Sequence, residues 1–214
     1  MTTGDADFIH RWLPAADARN ALTVLVLHGT GGDENDLVPL AQELLPSASI
    51  LSPRGKVTEN GAARFFRRLA EGVFDLEDLA VRTDELTAFL DDASTKYGFD
   101  REKVCALGFS NGANIAASML LRRGAQLKGA TLLSPMLPFE PDVFPDLSKV
   151  SVFVGAGLAD TMIPPDRARA LVDALRRSGA NVTDYWHPGG HTITHEELRS
   201  VRAWLKMREL VAAD

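Results

Sequence analysis

Val104-Cys105-Ala106-Leu107-Gly108-Phe109-Ser110-Asn111-Gly112-Ala113-Asn114-Ile115-Ala116-Ala117-Ser118-Met119-Leu120 is the stretch on which the reading of this chain turns. It begins as a short apolar run, passes through Gly108-Phe109-Ser110-Asn111-Gly112, and leaves with the apolar spacing of an Ala-rich helix. Strand, Gly-x-Ser-x-Gly and helix in that order describe a nucleophile elbow, a tight turn that lifts a serine hydroxyl clear of the backbone. Side chains flanking that serine would collide with the neighbouring strand and helix, so the turn needs glycine on both sides. The other reading is a strand-to-helix turn that merely contains these residues, and the rest of the chain must choose between them.

Outward from the elbow, strands and helices alternate. Phe8 to Leu13 reads as a short edge strand stopped by Pro14. Leu22 to Leu27 is almost continuously apolar, as expected of a strand covered on both faces in a parallel sheet. It ends in His28-Gly29-Thr30-Gly31-Gly32-Asp33, and Asp33 is placed to cap a helix from Glu34 to Leu45. Ala48 to Ser52 is a further strand. From Pro53 to about Asp78 the periodicity fails, which predicts a long loop that serves as a functional lid or a binding loop. A helix over Leu79–Tyr97 carries Leu86, Phe89, Leu90, Ala93 and Tyr97 on one stripe and closes at Gly98. After the elbow come strands at Ala130–Leu133, Val150–Val154 and Val182–Trp186. Pro138 to Pro145 reads as irregular, and Pro164-Pro165 opens a helix to Ser178. Thr194-x-x-Glu197 is a capping box for a terminal helix to about Val211. The pattern predicts one α/β domain over residues 1–214, with a mostly parallel central sheet of about seven strands and helices on both faces.

Composition narrows the function classes. With 45% hydrophobic and 24% charged residues the chain is globular rather than disordered. A net charge of -6 argues against nucleic acid or an anionic membrane as the main partner. Cys105 is the only cysteine, which excludes an internal disulfide and a cysteine metal cluster. No run approaches the length of a membrane helix and the amino terminus lacks a signal-peptide pattern, so no integral membrane association and a cytoplasmic location are expected. A homodimer is compatible with the sequence but not specified by it.

A serine hydroxyl is a weak nucleophile and needs a base, and the base needs an acid to hold its tautomer. On this scaffold the chain order is Ser, then Asp or Glu, then His. Asp160 follows a strand after the elbow; its alternative is an Asp that only opens a turn before Pro164. Asp166 and Asp184 fall in a helix start and in a strand. Of the five histidines, His10 and His28 precede the elbow and His195 sits in the first turn of the last helix. His191 is favoured over His187 because Gly189-Gly190 free its loop to turn back over the sheet. The developing oxyanion needs two backbone N–H donors. Asn111, at a helix start, should supply one and Thr30 the other. The same glycines lack the third glycine or the Gly-Lys-Ser/Thr of a phosphate loop. Ser110, Asp160 and His191 are therefore the candidate catalytic residues, with Thr30 and Asn111 as the oxyanion pair.

Leu27-His28-Gly29, Gly108-Phe109-Ser110-Asn111-Gly112, Gly157-Leu158-Ala159-Asp160-x-x-Ile163-Pro164 and Gly190-His191 together resemble the phospholipase/carboxylesterase branch of the α/β-hydrolases, which includes acyl-protein thioesterases. Pro53-Arg54-Gly55, Arg64-Phe65-Phe66-Arg67 and Gly72-Val73-Phe74-Asp75 look like the bacterial MhqD-like subgroup. The resemblance implies an α/β-hydrolase fold without a lid domain, no metal, no cofactor, and hydrolysis of small-molecule esters or thioesters through an acyl-enzyme. Thioesterases of the branch usually carry Gln after the serine; Asn111 stands there in this chain, which weakens the thioester expectation.

Phe65, Phe66, Leu137, Met162 and Ile163 are the expected apolar walls of a substrate pocket. Phe65 and Phe66 have an alternative role as anchors of the long loop. Arg64, Arg67 and Arg68 either meet an anionic substrate or form a solvated face. A non-catalytic ligand-binding protein on the same scaffold is the alternative to an esterase.

Overall fold

The apolar runs read from the sequence become neighbours in one seven-stranded sheet. The computed structural model describes residues 8–208. In chain order the elements are β1 (His10–Leu13), β2 (Thr23–Leu27), α1 (Val38–Leu44), β3 (Ser49–Pro53), β4 (Val57–Glu59), β5 (Ala62–Arg64), β6 (Arg68–Ala70), β7 (Val73–Phe74) and α2 (Leu76–Tyr97). They continue with β8 (Val104–Phe109), α3 (Asn111–Arg123), β9 (Gly129–Leu133), β10 (Ser151–Gly157), α4 (Pro165–Arg177), β11 (Asn181–His187) and α5 (His195–Met207). The sheet order is β1-β3-β2-β8-β9-β10-β11, with β1 antiparallel to β3 and the other pairs parallel.

Alternate residues of the buried strands feed two cores. Leu25, Leu27, Val104, Ala106, Val152 and Val154 face α2, α3 and α4. Val24, Val26, Cys105, Leu107 and Phe153 face α1 and α5, where Trp204 closes the layer. Burial on both sides explains why these strands read as unbroken apolar runs. Burial also pushes the Cys105 thiol up to about 12, so it stays protonated and inert. After β2 the chain turns first to β3 on one side and later to β8 on the other. The crevice beyond the carboxyl ends of β2 and β8 is therefore the topological switch point, where ligands bind in open α/β sheets.

Three local expectations need correction. The first helix does not start at Glu34. Pro39 has no N–H to give the Asn35 carbonyl, so turns span the preceding residues and α1 begins at Val38 with Pro39 in its first turn. Asp33 folds back on Asn35 N–H at 2.7 Å instead of capping the helix. The aperiodic stretch from Pro53 to Asp78 is not irregular throughout: it holds two antiparallel hairpins, β4–β5 and β6–β7. Asn60-Gly61 forms the first turn with φ of 51° and 83°, the left-handed pair that a two-residue hairpin turn demands.

Helix α2 starts earlier than expected because Asp75 caps it, accepting Asp78 N–H at 3.1 Å. The Thr194–Glu197 capping box is present at α5. That helix ends at Met207; its expected continuation to Val211 lies outside the described residues, as does the polar amino terminus. No helix among the described residues is long and apolar enough to cross a membrane.

Candidate active site

Ser110 stands between β8 and α3 with φ 53° and ψ -114°, a conformation that costs a non-glycine residue on the order of 1–3 kcal/mol. Its neighbours impose it. A Cβ on Gly112 would overlap the Leu27 carbonyl, and one on Gly108 would lie 2.7 Å from Ala113 N. The elbow therefore presses directly against β2 and the first turn of α3. Ser110 N–H donates to Leu133 O at 2.9 Å, which ties the turn to β9 as well. Held this way, the hydroxyl points into the crevice.

His191 Nε2 lies 2.9 Å from Ser110 Oγ, and His191 Nδ1 lies 2.7 Å from Asp160 Oδ2. Facing a carboxylate, Nδ1 carries the proton and leaves Nε2 to accept from the serine. Asp160 is buried, and its Oδ1 accepts Met162 N–H and Ile163 N–H, each at 2.9 Å, which fixes the carboxylate plane. The turn-opening alternative for Asp160 is thus also true of it: one oxygen holds the turn and the other faces the imidazole. Asp184 instead binds Arg176 and Trp186, far down β11. Thr30 and Asn111 flank the serine from the ends of β2 and β8, and among the described residues neither backbone N–H has an acceptor. The Asn111 N–H is one of the unpaired donors that every helix start leaves.

The profile of the phospholipase/carboxylesterase family matches residues 13–208. The chain belongs to that family. The MhqD protein of Bacillus subtilis (strain 168) is 48% identical over 183 residues, which cover 86% of this chain and 92% of that protein. The crystal structure of the Bacillus cereus carboxylesterase superposes with a TM-score of 0.92 at 45% identity, over 95% of this chain and 96% of that one. A carboxylesterase from Mesorhizobium loti gives 0.87 at 32% identity, over 96% and 97%. The fold is the α/β-hydrolase fold.

In this phospholipase/carboxylesterase-family chain a cleft of about 180 Å³ opens over Ser110 and His191. Met162 and Ile163 line it, as expected; Leu137 is not among its walls. Phe65 and Phe66 are not walls either. They are 2% and 0% exposed, Phe65 packed on His28 and Phe66 on Phe74, so they anchor the hairpins to the core. The apolar lining comes instead from Phe74, Phe109 and Met136. Asn114 joins it from one helical turn beyond Ser110, a spacing the sequence does show. Arg64 and Arg68 also line the cleft, whereas Arg67 turns away to Asp75 and Asp78.

Several polar side chains brace these parts of the family member. His28 is buried, with Nδ1 donating to Gly29 O at 2.7 Å and Nε2 accepting Gly55 N–H at 2.9 Å; burial pushes its pKa down, which suits a neutral latch. Asn111 Oδ1 accepts Phe65 N–H at 2.7 Å, so the residue after the serine also grips the hairpin segment. Beneath the His191 loop, His187 accepts Gly189 N–H on Nδ1 at 3.2 Å. Its Nε2 faces the buried Glu197 at 3.9 Å, too far for a hydrogen bond. Among the described residues no three His, Cys, Asp or Glu side chains gather as metal ligands.

Proposed function

We propose that the protein is a serine carboxylesterase acting on small carboxylic esters or thioesters. The observation that carries this reading is the hydrogen-bonded series Ser110 Oγ, His191, Asp160 beside two uncommitted backbone N–H groups. His191 Nε2 removes the Ser110 proton as Oγ attacks the ester carbonyl. Thr30 N–H and Asn111 N–H hold the resulting oxyanion, donors of a kind worth about 3–4 kcal/mol each in the transition state. Asp160 keeps the imidazole oriented and stabilises it once protonated. Collapse breaks the ester bond, and His191 hands its proton to the departing alcohol or thiol. A water, deprotonated by the same histidine, then attacks the acyl-Ser110 ester; the acyl–Oγ bond breaks, His191 returns its proton to Ser110 Oγ, and the acid leaves.

The size of the cleft supports short acyl groups, and the carboxylesterases of Bacillus cereus and Mesorhizobium loti support ester substrates. Ser110→Ala is the decisive variant. It should lose at least about 10⁴-fold in turnover of p-nitrophenyl esters and all labelling by a fluorophosphonate probe, while melting at an unchanged temperature. Undiminished turnover in that variant refutes the mechanism. A wild-type protein that neither turns over esters nor takes the label points to a ligand-binding role instead.

A further inference from the structure

One wall of the cleft carries a cation that ester hydrolysis itself does not require. Arg64, at the end of β5, is 3% exposed, yet it borders the same space as Ser110 and His191. Its Nη1 donates to Thr30 Oγ1 at 2.7 Å and its Nε to Phe66 O at 3.2 Å, so the guanidinium is held rigid next to the oxyanion loop. Nη2 makes no hydrogen bond among the described residues, on a side chain that lines the cleft.

The nearby anions do not complete its charge. Glu59 lies 3.3 Å from Arg64 Nε, but both Glu59 oxygens are also engaged by Arg68 Nε at 3.0 and 3.1 Å. One carboxylate therefore serves two guanidinium groups. Glu71 is on the cleft rim, at the exposed β6–β7 turn. Burial, and after it the adjoining Arg68, push the Arg64 pKa down in spite of Glu59. Asn114 adds a further donor. Its Oδ1 takes Met136 N–H at 2.8 Å, leaving the amide NH₂ without a partner among the described residues. Met162, Ile163 and Phe109 supply apolar lining of the same cleft.

We propose that Arg64, seconded by Arg68, is a carboxylate-binding site, and that the favoured substrates are small esters carrying a second, ionised carboxylate, such as half-esters of short dicarboxylic acids. The proposal rests on the esterase reading above and assigns the substrate class to it. A neutral ester that displaces water from the cleft leaves the Arg64 Nη2 donors unsatisfied, whereas a carboxylate meets a preset guanidinium fork.

The test compares two substrates of equal chain length, ethyl butyrate and monoethyl succinate, which differ by a methyl group against a carboxylate. Wild-type kcat/KM should favour monoethyl succinate by about 10-fold or more, the range of one charge-assisted hydrogen bond, and added salt should erode the preference. Arg64→Gln should bring the ratio to about one, with folding checked by thermal melting. Should that variant not fold, the more exposed Arg68→Gln serves, with a smaller drop in the ratio. Wild type that hydrolyses ethyl butyrate as well as the half-ester overturns the carboxylate site and leaves the esterase standing. If neither ester is hydrolysed, calorimetric titration with glutarate still decides: binding that is lost in Arg64→Gln upholds the site, and no binding to wild type ends it.

Discussion

The elbow from Val104 to Leu120 and the hairpins from Val57 to Phe74 face each other across the cleft, and they are held by different physics. In the elbow, backbone lies against backbone. Gly112 and Gly108 have no room for a Cβ, and α3 is buried from Asn111 to Leu121. In the hairpins, individual hydrogen bonds do most of the holding: Arg64 on Thr30, Asn111 on Phe65 N–H, Asp78 on Arg67 N–H at 2.7 Å and Gly31 N–H on Ala63 O at 2.9 Å, with close backbone contact where Gly55 meets Arg64. A close-packed turn tolerates no change of shape, whereas a segment tied by individual bonds tolerates the loss of one. On the proposed reading, the comparison separates the part that would perform the reaction from the part that would choose what reacts.

Glycine substitutions probe this contrast most severely. Gly112→Val should abolish the folded protein, because its side chain would have to occupy the place of the Leu27 carbonyl; soluble yield and circular dichroism would reveal it. Stable, active protein would break the distinction at once. Next comes Asp160→Asn, which leaves packing intact but offers His191 the wrong hydrogen-bonding partner. Its kcat should fall about 10⁴-fold with little change in melting temperature.

A pH experiment asks whether the sheet side has its own weak point. Burial raises Glu197 from its ordinary 4.5 to about 7. A carboxyl group that binds its proton more tightly when folded adds stability below its unfolded pKa. That stability drains away as pH rises through the folded one. Between about pH 4.5 and 7 the loss is on the order of 3 kcal/mol. Glu197→Gln should flatten this slope in urea-unfolding midpoints, while proteolytic nicking of residues 55–75 keeps its wild-type rate.

Asn111→Ala keeps the backbone N–H beside Ser110 but strands the buried Phe65 N–H, which costs about 1–3 kcal/mol. The hairpins should become more sensitive to protease while the acylation rate changes little. Smallest of all is Gly61→Ala. Its Cβ meets nothing within 4 Å, so only the positive φ of 83° resists it, at about 1 kcal/mol. A Gly61→Ala effect as large as that of Gly112→Val would erase the difference between the two regions.

The same contrast explains what could be read from the chain itself. Ser110 and Asp160 could be named because each follows a strand whose apolar run is visible, His191 because it follows the last strand, and all three because the scaffold dictates their order. Thr30 and Asn111 follow from the same strand ends. The hairpins are hidden because two- and three-residue strands of mixed charge have no measurable period; only Asn60-Gly61 announces a turn. Arg64 and Phe65 keep two readings each in the sequence, for a deeper reason. Adjacent in sequence, both are buried, one beside the oxyanion loop and the other against His28, and nothing local in Arg64-Phe65-Phe66-Arg67 distinguishes the arginine that goes in from the one that stays out. Burial there is decided by Glu59, Thr30 and Asn111, residues brought up by other elements. Helix α1 fell short for a local reason that was legible: Pro39 cannot donate.

Asn111 serves both sides at once, its backbone turned to the serine and its side chain to Phe65. That double attachment makes residues 55–75 and position 111 a single heritable unit. Chimeras between family members should survive when the segment travels with its own residue at 111. They should lose the clamp when a crossover brings a residue without a side-chain acceptor to 111, or a segment with proline or a shifted backbone to the place of Phe65, which strands one partner of the bond beside Ser110. Recombination libraries, more than point mutants, would expose that bond as the seam of the molecule.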